Sequence, residues 1–436
     1  MSGIKKNQQN ILDKLNIEQL NSMQKEAQQA IRRGSEIVLL SPTGTGKTLA
    51  FVLPIIAELD TKCTDIQVLI LVPSRELAIQ IEQVIRDIGT GYKTNAFYGG
   101  RSFSKDRMDL NHPPAILIGT PGRITDHIKR ETFSTQNIKT LVLDEFDKSL
   151  EIGFEAEMKA IITYLPKVRK KILTSATHEV VIPSFVDITN PRYINYLDEK
   201  IQQLKIKTII SPDKDKLKTL IDALSHIGNQ PGIVFCNFKE TINRVSDFLT
   251  ENKVSHGCFY GGMEQVDRER ALIKFRNGTH RLIIATDLAA RGLDIPELKF
   301  IIHYQLPLRS QEFTHRNGRT ARMHSEGTAY ILKWENEELP QFIPQTEIEK
   351  LKKAIVPGVT EWETLFVSGG RKDKISKGDI AGLFLKQGKL QNEQLGNIEL
   401  KLDCAFVAVH SQKVNDLILL VDNTKLKNKK VRVTVI

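Results

Sequence analysis

Residues Glu36–Thr48 read EIVLLSPTGTGKT. Ile37, Val38, Leu39 and Leu40 form a continuous apolar run with β-branched members, the composition of a strand buried on both faces. The run breaks at Ser41, Pro42, Thr43, Gly44, Thr45 and Gly46, where a regular strand cannot continue. Lys47 and Thr48 then open a helical pattern, LAFVLPIIAEL. Strand, glycine-containing loop and helix N-terminus in that order make a phosphate cradle, because backbone N–H groups and the helix dipole converge on an anion. Within such a cradle Lys47 reaches the β- and γ-phosphates of a nucleotide, and the Thr48 hydroxyl ligates Mg²⁺. Ser41 stands where the strict GxxxxGK[ST] pattern has its first glycine.

Outward from this stretch the chain alternates. Strand-like runs at Val68–Val72, Ala115–Ile118, Leu141–Leu143 and Lys171–Leu173 are separated by helix-like segments such as Glu76–Ile88 and Phe154–Tyr164. That alternation predicts a parallel sheet covered by helices on both faces. Upstream, residues 1–35 are polar with a helical pattern through Ile11, Leu12, Leu15 and Leu20. A less apolar passage at Leu197–Lys207 reads as a linker, and a second alternation follows it. Its strands are expected at Ile233–Phe235, Arg281–Ala285, Lys299–Ile302 and Ala329–Leu332, and its helices at Ser211–Ile227, Lys239–Thr250, Gln265–Phe275 and Gln311–Arg322. Both halves share a layout, but only the first has a phosphate loop. A further boundary falls in the polar stretch Pro340–Glu361, which holds three prolines. A small unit remains from about Glu363 to Ile436, ending in the alternating strand VRVTVI.

A length of 436 residues suggests about three domains. The hydrophobic content of 40% with 26% charged residues is that of a soluble globular protein. The net charge of +10 favours a polyanionic partner, nucleic acid before membrane. Cys63, Cys236, Cys258 and Cys404 are far apart and form no CxxC pair, which argues against a zinc site or a disulfide framework and for reduced thiols. No apolar run approaches a membrane span, and MSGIKKNQQN lacks the apolar core of a signal peptide, so a cytoplasmic location is expected.

Leu141–Asp147 reads LVLDEFD, a buried strand ending in three acids. Asp144 stands where a strand end holds Mg²⁺, and Glu145 where it orients or deprotonates an attacking water.

With these residues in place, the chain resembles a DEAD-box RNA helicase over about residues 15–335, with DEFD at Asp144–Asp147 in place of DEAD. The ordered series is SPTGTGKT at 41–48, PSREL at 73–77, Gly99–Gly100, TPGR at 120–123, SAT at 175–177 and IVFCN at 233–237. It continues with QVDR at 265–268, ATDLAARGLDI at 285–295 and HRNGRTAR at 315–322. The stretch NIEQLNSMQ at 16–24 is similar to the family's Q motif, with Leu20 and Ser22 replacing prolines and the upstream aromatic missing. The resemblance implies two RecA-like doubly wound parallel-sheet domains in tandem, at 1–200 and 206–345, and ATP with Mg²⁺ as cofactors. It implies that Gln24 recognises adenine, as a carboxamide pairs bidentately with adenine N6 and N7. Ser41, Thr43, Gly44, Thr45, Gly46, Lys47, Thr48 and Asp144 would hold the nucleotide, and Asp294 its ribose.

Arg316, Arg319 and Arg322 recur at i, i+3 and i+6, on one helical face or turn. By resemblance Arg319 and Arg322 are arginine fingers on the γ-phosphate, and Ala321 replaces a usual glycine. RNA contacts are implied at Arg75, Gly100, Thr120, Gly122 and Arg123, joined by Arg268 and Thr286. Such groups suit a sugar–phosphate backbone and read no sequence. Ser175, Thr177 and His315 would couple ATP state to domain contacts.

The tail has its own resemblance. ETLFVSGGRKDKISKGDIAGLF and LGNIELKLDCAFVAV are similar to the C-terminal RNA-binding domain of bacterial DbpA-type helicases, an RRM-like βαββαβ unit over about 363–436. From Arg371 to Ile436 there are thirteen Lys and Arg against seven Asp and Glu, a net +6 that suits RNA. The stacking aromatics of ordinary RRM sheets are mostly missing, though Phe406 is present, so readout through loops and basic side chains is expected. The whole implies a monomeric ATP-dependent RNA helicase that opens short duplexes, with structured ribosomal RNA and large-subunit assembly as its setting. The alternatives are an ATP-gated RNA clamp, a DNA translocase of a related class, and a dimerisation role for the tail.

Overall fold

The computed structural model describes residues 8–15, 17–177, 181–197, 204–287, 298–321, 326–356, 358 and 360–436. Asp294, Arg322 and most of the 285–295 motif lie outside these residues. Two compact units are formed, one holding the first sheet and the other the second and third.

The first sheet has seven strands: β1 Glu36–Leu40, β2 Val68–Leu71, β3 Thr94–Phe97, β4 Ile116–Gly119, β5 Thr140–Leu143, β6 Lys170–Ser175 and β7 Arg192–Asn195. All pairings are parallel, in the order β3-β4-β2-β5-β6-β1-β7. Its central strands are buried on both faces, as their unbroken apolar runs require. Helices cover them through one stripe each. In the Arg75–Ile88 helix, Leu77, Ala78, Ile81, Ile85 and Ile88 are the buried set. Ser74 caps its start by accepting from Leu77 N, and Gly89, at φ +64, ends it in the left-handed conformation that glycine adopts without a Cβ penalty.

The order of strands sorts the motifs. The C-terminal ends of β5, β6 and β1 are neighbours and carry DEFD, SAT and the phosphate loop. The ends of β3, β4 and β2 are also neighbours and carry Gly99–Gly100, TPGR and PSREL. Open parallel sheets bind ligands at these strand ends.

The second sheet repeats the layout with β8 Leu204–Ser211, β9 Gly232–Phe235, β10 His256–Phe259, β11 Leu282–Ala285, β12 Phe300–His303, β13 Gly327–Trp334 and β14 Glu347–Ile348, in the order β10-β11-β9-β12-β13-β8-β14. Leu204–Lys207, expected in a linker, begin β8, and Ser211, expected in a helix, ends it. The helix there starts at Leu217. The segment expected as a boundary at 340–361 is likewise part of this unit. Within it β14 pairs in parallel with β8 at Glu347↔Lys207, Lys207 pairs with Glu349, and His226 Nε2 meets Glu349 at 2.9 Å.

The third sheet is antiparallel: β15 Trp362–Val367, β16 Leu395–Leu400, β17 Ala405–His410 and β20 Val433–Val435, ordered β16-β17-β15-β20. Helices Lys377–Gly382 and Val414–Val421 complete the βαββαβ unit, and a hairpin of β18 Thr424–Leu426 and β19 Lys429–Val431 precedes the last strand. Leu365, Val367, Ala405, Val407, Val409 and Val433 bury one face of this sheet against the two helices.

Candidate active site

The phosphate loop is held from both sides. Gly44 and Gly46 both have φ +82, which bends the chain back toward the Lys47–Glu58 helix. Ser41, in place of the usual glycine, is fully buried: its N–H donates to Ser175 O at 3.0 Å and its hydroxyl lies 2.8 Å from Thr45 Oγ1. Lys47 folds its ammonium onto the loop, donating to Ser41 O at 2.6 Å and Pro42 O at 2.9 Å. The half-buried Thr48 follows in the first turn of the helix.

Asn21 and Gln24 form a capping box at the start of the Ser22–Arg33 helix: Asn21 accepts from Gln24 N, and Gln24 Oε1 accepts from Asn21 N at 3.0 Å. Gln24 Nε2 also donates to Gly46 O at 3.2 Å, and Asn21 Nδ2 to Thr45 O at 3.1 Å. A Cβ at Gly46 would collide with the Gln24 amide. The buried Gln24 therefore braces the cradle, a role the sequence reading did not include. The Asn-x-x-Gln spacing is the signal for the capping part of it.

Asp144 is buried at the end of β5. Burial pushes its carboxyl up, while the Thr174 hydroxyl, the Lys47 ammonium and the Glu145 N–H pull the other way. Thr174, on β6, donates to Asp144 Oδ1 and accepts from Glu145 N. This threonine was missed by sequence reasoning, since only the strand order brings it beside Asp144. Glu145 has φ +47 and caps the short Phe146–Glu151 helix. A non-glycine residue in that region costs energy, and such strain gathers at functional positions. The chain continues into SAT: Ser175 Oγ accepts from Thr177 N at 3.0 Å, and Thr177 Oγ1 donates to Asp147 Oδ2 at 3.3 Å. One hydroxyl path thus joins Asp147 to Ser175, whose carbonyl anchors Ser41.

These residues fit a triphosphate and a hard cation. The positive-φ glycines open a backbone cradle, a lysine lies within it, and a buried carboxylate stands beside that lysine. Among the described residues no three His, Cys, Asp or Glu side chains form a metal cage. Mg²⁺ held by one carboxylate, one hydroxyl, phosphates and waters needs none.

The other half of the sheet end gathers the implied RNA contacts. A Cβ on Gly100, at φ +87, would lie 2.7 Å from Arg75 Nη1, so PSREL and the Gly99–Gly100 pair meet directly. Thr120 starts the Pro121–Lys129 helix, and Gly122 has open space where a side chain would be. Arg123 is placed differently: its guanidinium bonds Asp106 at 2.8–2.9 Å and Arg101 O at 2.8 Å, and lies 4.8 Å from the Phe103 ring centroid. Asp106 is wholly buried and also takes Arg101 Nε at 2.9 Å and His127 Nε2 at 3.1 Å. The half-buried Arg123 is thus held in place by the buried Asp106, a residue absent from the sequence reading.

In the second unit Arg268 lies over the Phe259 ring at 4.8 Å, while Thr286 N donates to Phe259 O at 3.2 Å, so this pair also converges. The expected helix over 311–322 spans Ser310–Asn317 instead, and Arg319 follows it in a turn. Arg316 is fully buried and joins three motifs: Nε and Nη2 meet Asp287 at 2.7 and 2.5 Å, Nη2 meets Asn237 Oδ1 at 2.7 Å, and Nη1 meets Gln305 O at 2.7 Å. His315 is buried beside it. Ala321 has φ +53, so the residue replacing a glycine does adopt the conformation that favours one.

Two parallel sheets of one layout, of which only the first is followed by a phosphate loop, define a tandem α/β nucleotide-binding architecture. Residues 21–182 match the DEAD/DEAH box helicase family, 215–324 the helicase conserved C-terminal domain, and 364–435 the DbpA RNA binding domain. The chain is 30% identical over 434 residues to the ATP-dependent RNA helicase DbpA of Bacillus subtilis, covering 91% of each chain. It is also 30% identical over 443 residues to that of Escherichia coli, covering 97% of this chain and 95% of the relative. Its fold is that of a solved S. cerevisiae Dbp5 bound to RNA and ADP BeF3, with a TM-score of 0.67 at 24% identity, over 75% of this chain and 87% of that one. The chain belongs to the DEAD-box ATP-dependent RNA helicases and carries the RNA-binding domain of the DbpA type.

Proposed function

We propose that this helicase couples ATP hydrolysis to local opening of short RNA duplexes, and that its target is structured ribosomal RNA in large-subunit assembly. The observation that supports ATP hydrolysis most is the adjacency of Lys47, Asp144, Thr174 and the Ser175–Thr177–Asp147 hydroxyl path at one strand-end crevice, while the ribosomal target rests on the likeness of residues 364–435 to the DbpA RNA binding domain. In this reading Lys47 turns from the Ser41 and Pro42 carbonyls to the β- and γ-phosphates. Gln24 keeps the loop braced and offers its carboxamide to adenine, while Asp294 takes the ribose. Thr48 and Asp144 would hold Mg²⁺, which would supply charge neutralisation at the phosphates. Glu145 orients the attacking water and accepts its proton. Arg319 and Arg322 stabilise charge on the transferred phosphoryl group, a contribution on the order of 10³–10⁵ in rate. Ser175, Thr177 and His315 relay nucleotide state.

RNA is held through its backbone by Arg75, Gly100, Thr120, Gly122, Arg123, Arg268 and Thr286, with Asp106 fixing the orientation of Arg123. ATP and RNA favour one closed state and so bind cooperatively. A strand bent in that state cannot remain in an A-form duplex. The domains are 1–200, 206–345 and 363–436; the protein acts as a cytoplasmic monomer.

The test is ATPase activation by ribosomal RNA and by an unstructured homopolymer, alongside strand separation on a short duplex. Full-length protein is expected to prefer ribosomal RNA, and a chain lacking residues 363–436 to lose that preference and become less sensitive to salt. ATP turnover without strand separation would favour an RNA clamp. Absence of any preference would remove the ribosomal assignment.

A further inference from the structure

The third sheet has one face in its own core and one turned outward. Trp362, Thr364 and Phe366 alternate onto the outer face of β15, opposite His410, Ala408 and Phe406 of β17. In RRM folds this is the surface on which aromatic side chains stack bases. Here its Trp362–Thr364 half is covered by the second helicase unit, while Phe366 packs edge-on against Phe406 and stays half-exposed.

Thr364, at its centre, is completely buried: its Oγ1 lies 2.7 Å from Thr279 Oγ1 and accepts from Asn277 Nδ2 at 3.2 Å. Asn277 Oδ1 in turn accepts from Asn397 Nδ2 at 3.2 Å, and Thr360 Oγ1 donates to Thr279 O at 2.9 Å. Trp362 lies over Gly278, where a Cβ would be 3.5 Å from its Cδ1. The rim is ionic. Arg276 meets Glu399 at 2.9 Å, and Lys401 meets both Glu399 at 2.7 Å and Glu269 at 2.6 Å. Buried polar groups are costly unless paired, and the amides and hydroxyls of this set are paired between the tail's sheet and the Asn277–Thr279 loop. In the connecting chain Glu347–Glu349 are fixed as well, through β14 on β8 and Glu349 on Lys207 and His226.

We propose that the outer face of the tail's sheet is an internal docking surface for the Gln265–Arg276 helix and the Asn277–Thr279 loop, and that RNA is held by the tail's remaining surface while this interface stays shut. The helix it grips also carries Arg268, so Glu269 and Arg276 fix the orientation of a candidate RNA contact. The tail then acts as a positioning element of the motor.

The experiment uses the full chain with Cys63, Cys236, Cys258 and Cys404 replaced by alanine and cysteines introduced as N277C and N397C. A short bismaleimide should join them rapidly in the native protein. RNA affinity, measured with a ribosomal RNA fragment, should stay within about twofold after joining. Failure to cross-link would overturn the docking, whatever the RNA affinity. A tenfold or greater loss of RNA binding on joining would show that this face must open to take RNA. Independently of those cysteines, R276E or E399R alone should speed protease cleavage within residues 350–361, and the double swap should restore resistance. Equal cleavage in all four proteins would also overturn the interface.

Discussion

Gln24 Nε2 donates to the carbonyl of Gly46 at 3.2 Å, tying the Ser22–Arg33 helix to the turn of the phosphate loop. The same side chain closes the helix cap through Asn21 N. Gln24→Ala should therefore cost about 1 kcal/mol of stability, the usual worth of a cap. It should raise the KM of every nucleoside triphosphate. Loss of ATP preference over GTP with unchanged stability would mean that the amide serves the base alone.

Glu145→Gln keeps the side chain's shape but not its basicity. ATP and RNA binding should persist while turnover falls, giving a long-lived ATP–RNA complex, measured as the dissociation rate of labelled RNA. A complex no longer-lived than wild type would refute the role given to Glu145.

Arg316 and Arg319 are three residues apart and should fail differently. Arg316→Lys loses the bidentate fork on Asp287 inside the unit, and should destabilise it by about 3 kcal/mol. Arg319→Ala should retain ATP affinity and lower RNA-stimulated turnover by on the order of 10²-fold. Denaturant titration and ATPase assays on both variants separate the two roles. A loss of turnover below about threefold in the second would show that Arg319 is not a finger.

His303 is fully buried, with Nε2 at 3.0 Å from Asn317 Oδ1, and burial, helped by the Arg316 charge, pushes its pKa down to about 3. A histidine whose folded value lies below its unfolded one stabilises fully above the unfolded value and loses that stability as pH falls. Between pH 6.5 and 5 the loss is about 2 kcal/mol for this group alone. Both tryptophans, Trp334 and Trp362, lie in the second unit, so their fluorescence during denaturation at pH 7.5 and 5 reads it directly. His303→Gln should flatten the difference. An unchanged slope would place the acid sensitivity elsewhere, with His280, which is pushed down to about 4, the next group to replace.

What the sequence made legible follows from how local each signal is. The phosphate loop and DEFD are contiguous chemistry, and the strands bearing them are buried on both faces, so their composition declares them. Strands β3, β7, β10 and β14 are sheet edges with mixed composition, and all four escaped the periodicity reading. β8 was taken in part for a linker because its LKIKTIIS alternates beside such an edge. The braces of the site were illegible for another reason. Gln24 to Gly46, Thr174 to Asp144, Arg316 to Asp287 and Arg123 to Asp106 each join residues remote in the chain. Strand order decides that the last three meet, and the packing of the Ser22–Arg33 helix against the phosphate-loop helix decides the first.

The pairing of β14 with β8 bears on how the protein can be dissected. β14 supplies only two residues, yet it occupies the flank of an eight-residue strand whose other side belongs to β13. A motor fragment cut before Glu347 would bare that flank and offer its amides and carbonyls to a second molecule. A fragment ending at Glu361 would keep the flank capped. Two preparations differing by some fifteen residues would then differ in colloidal behaviour, and a self-associating short form would be a product of the cut and not of the motor.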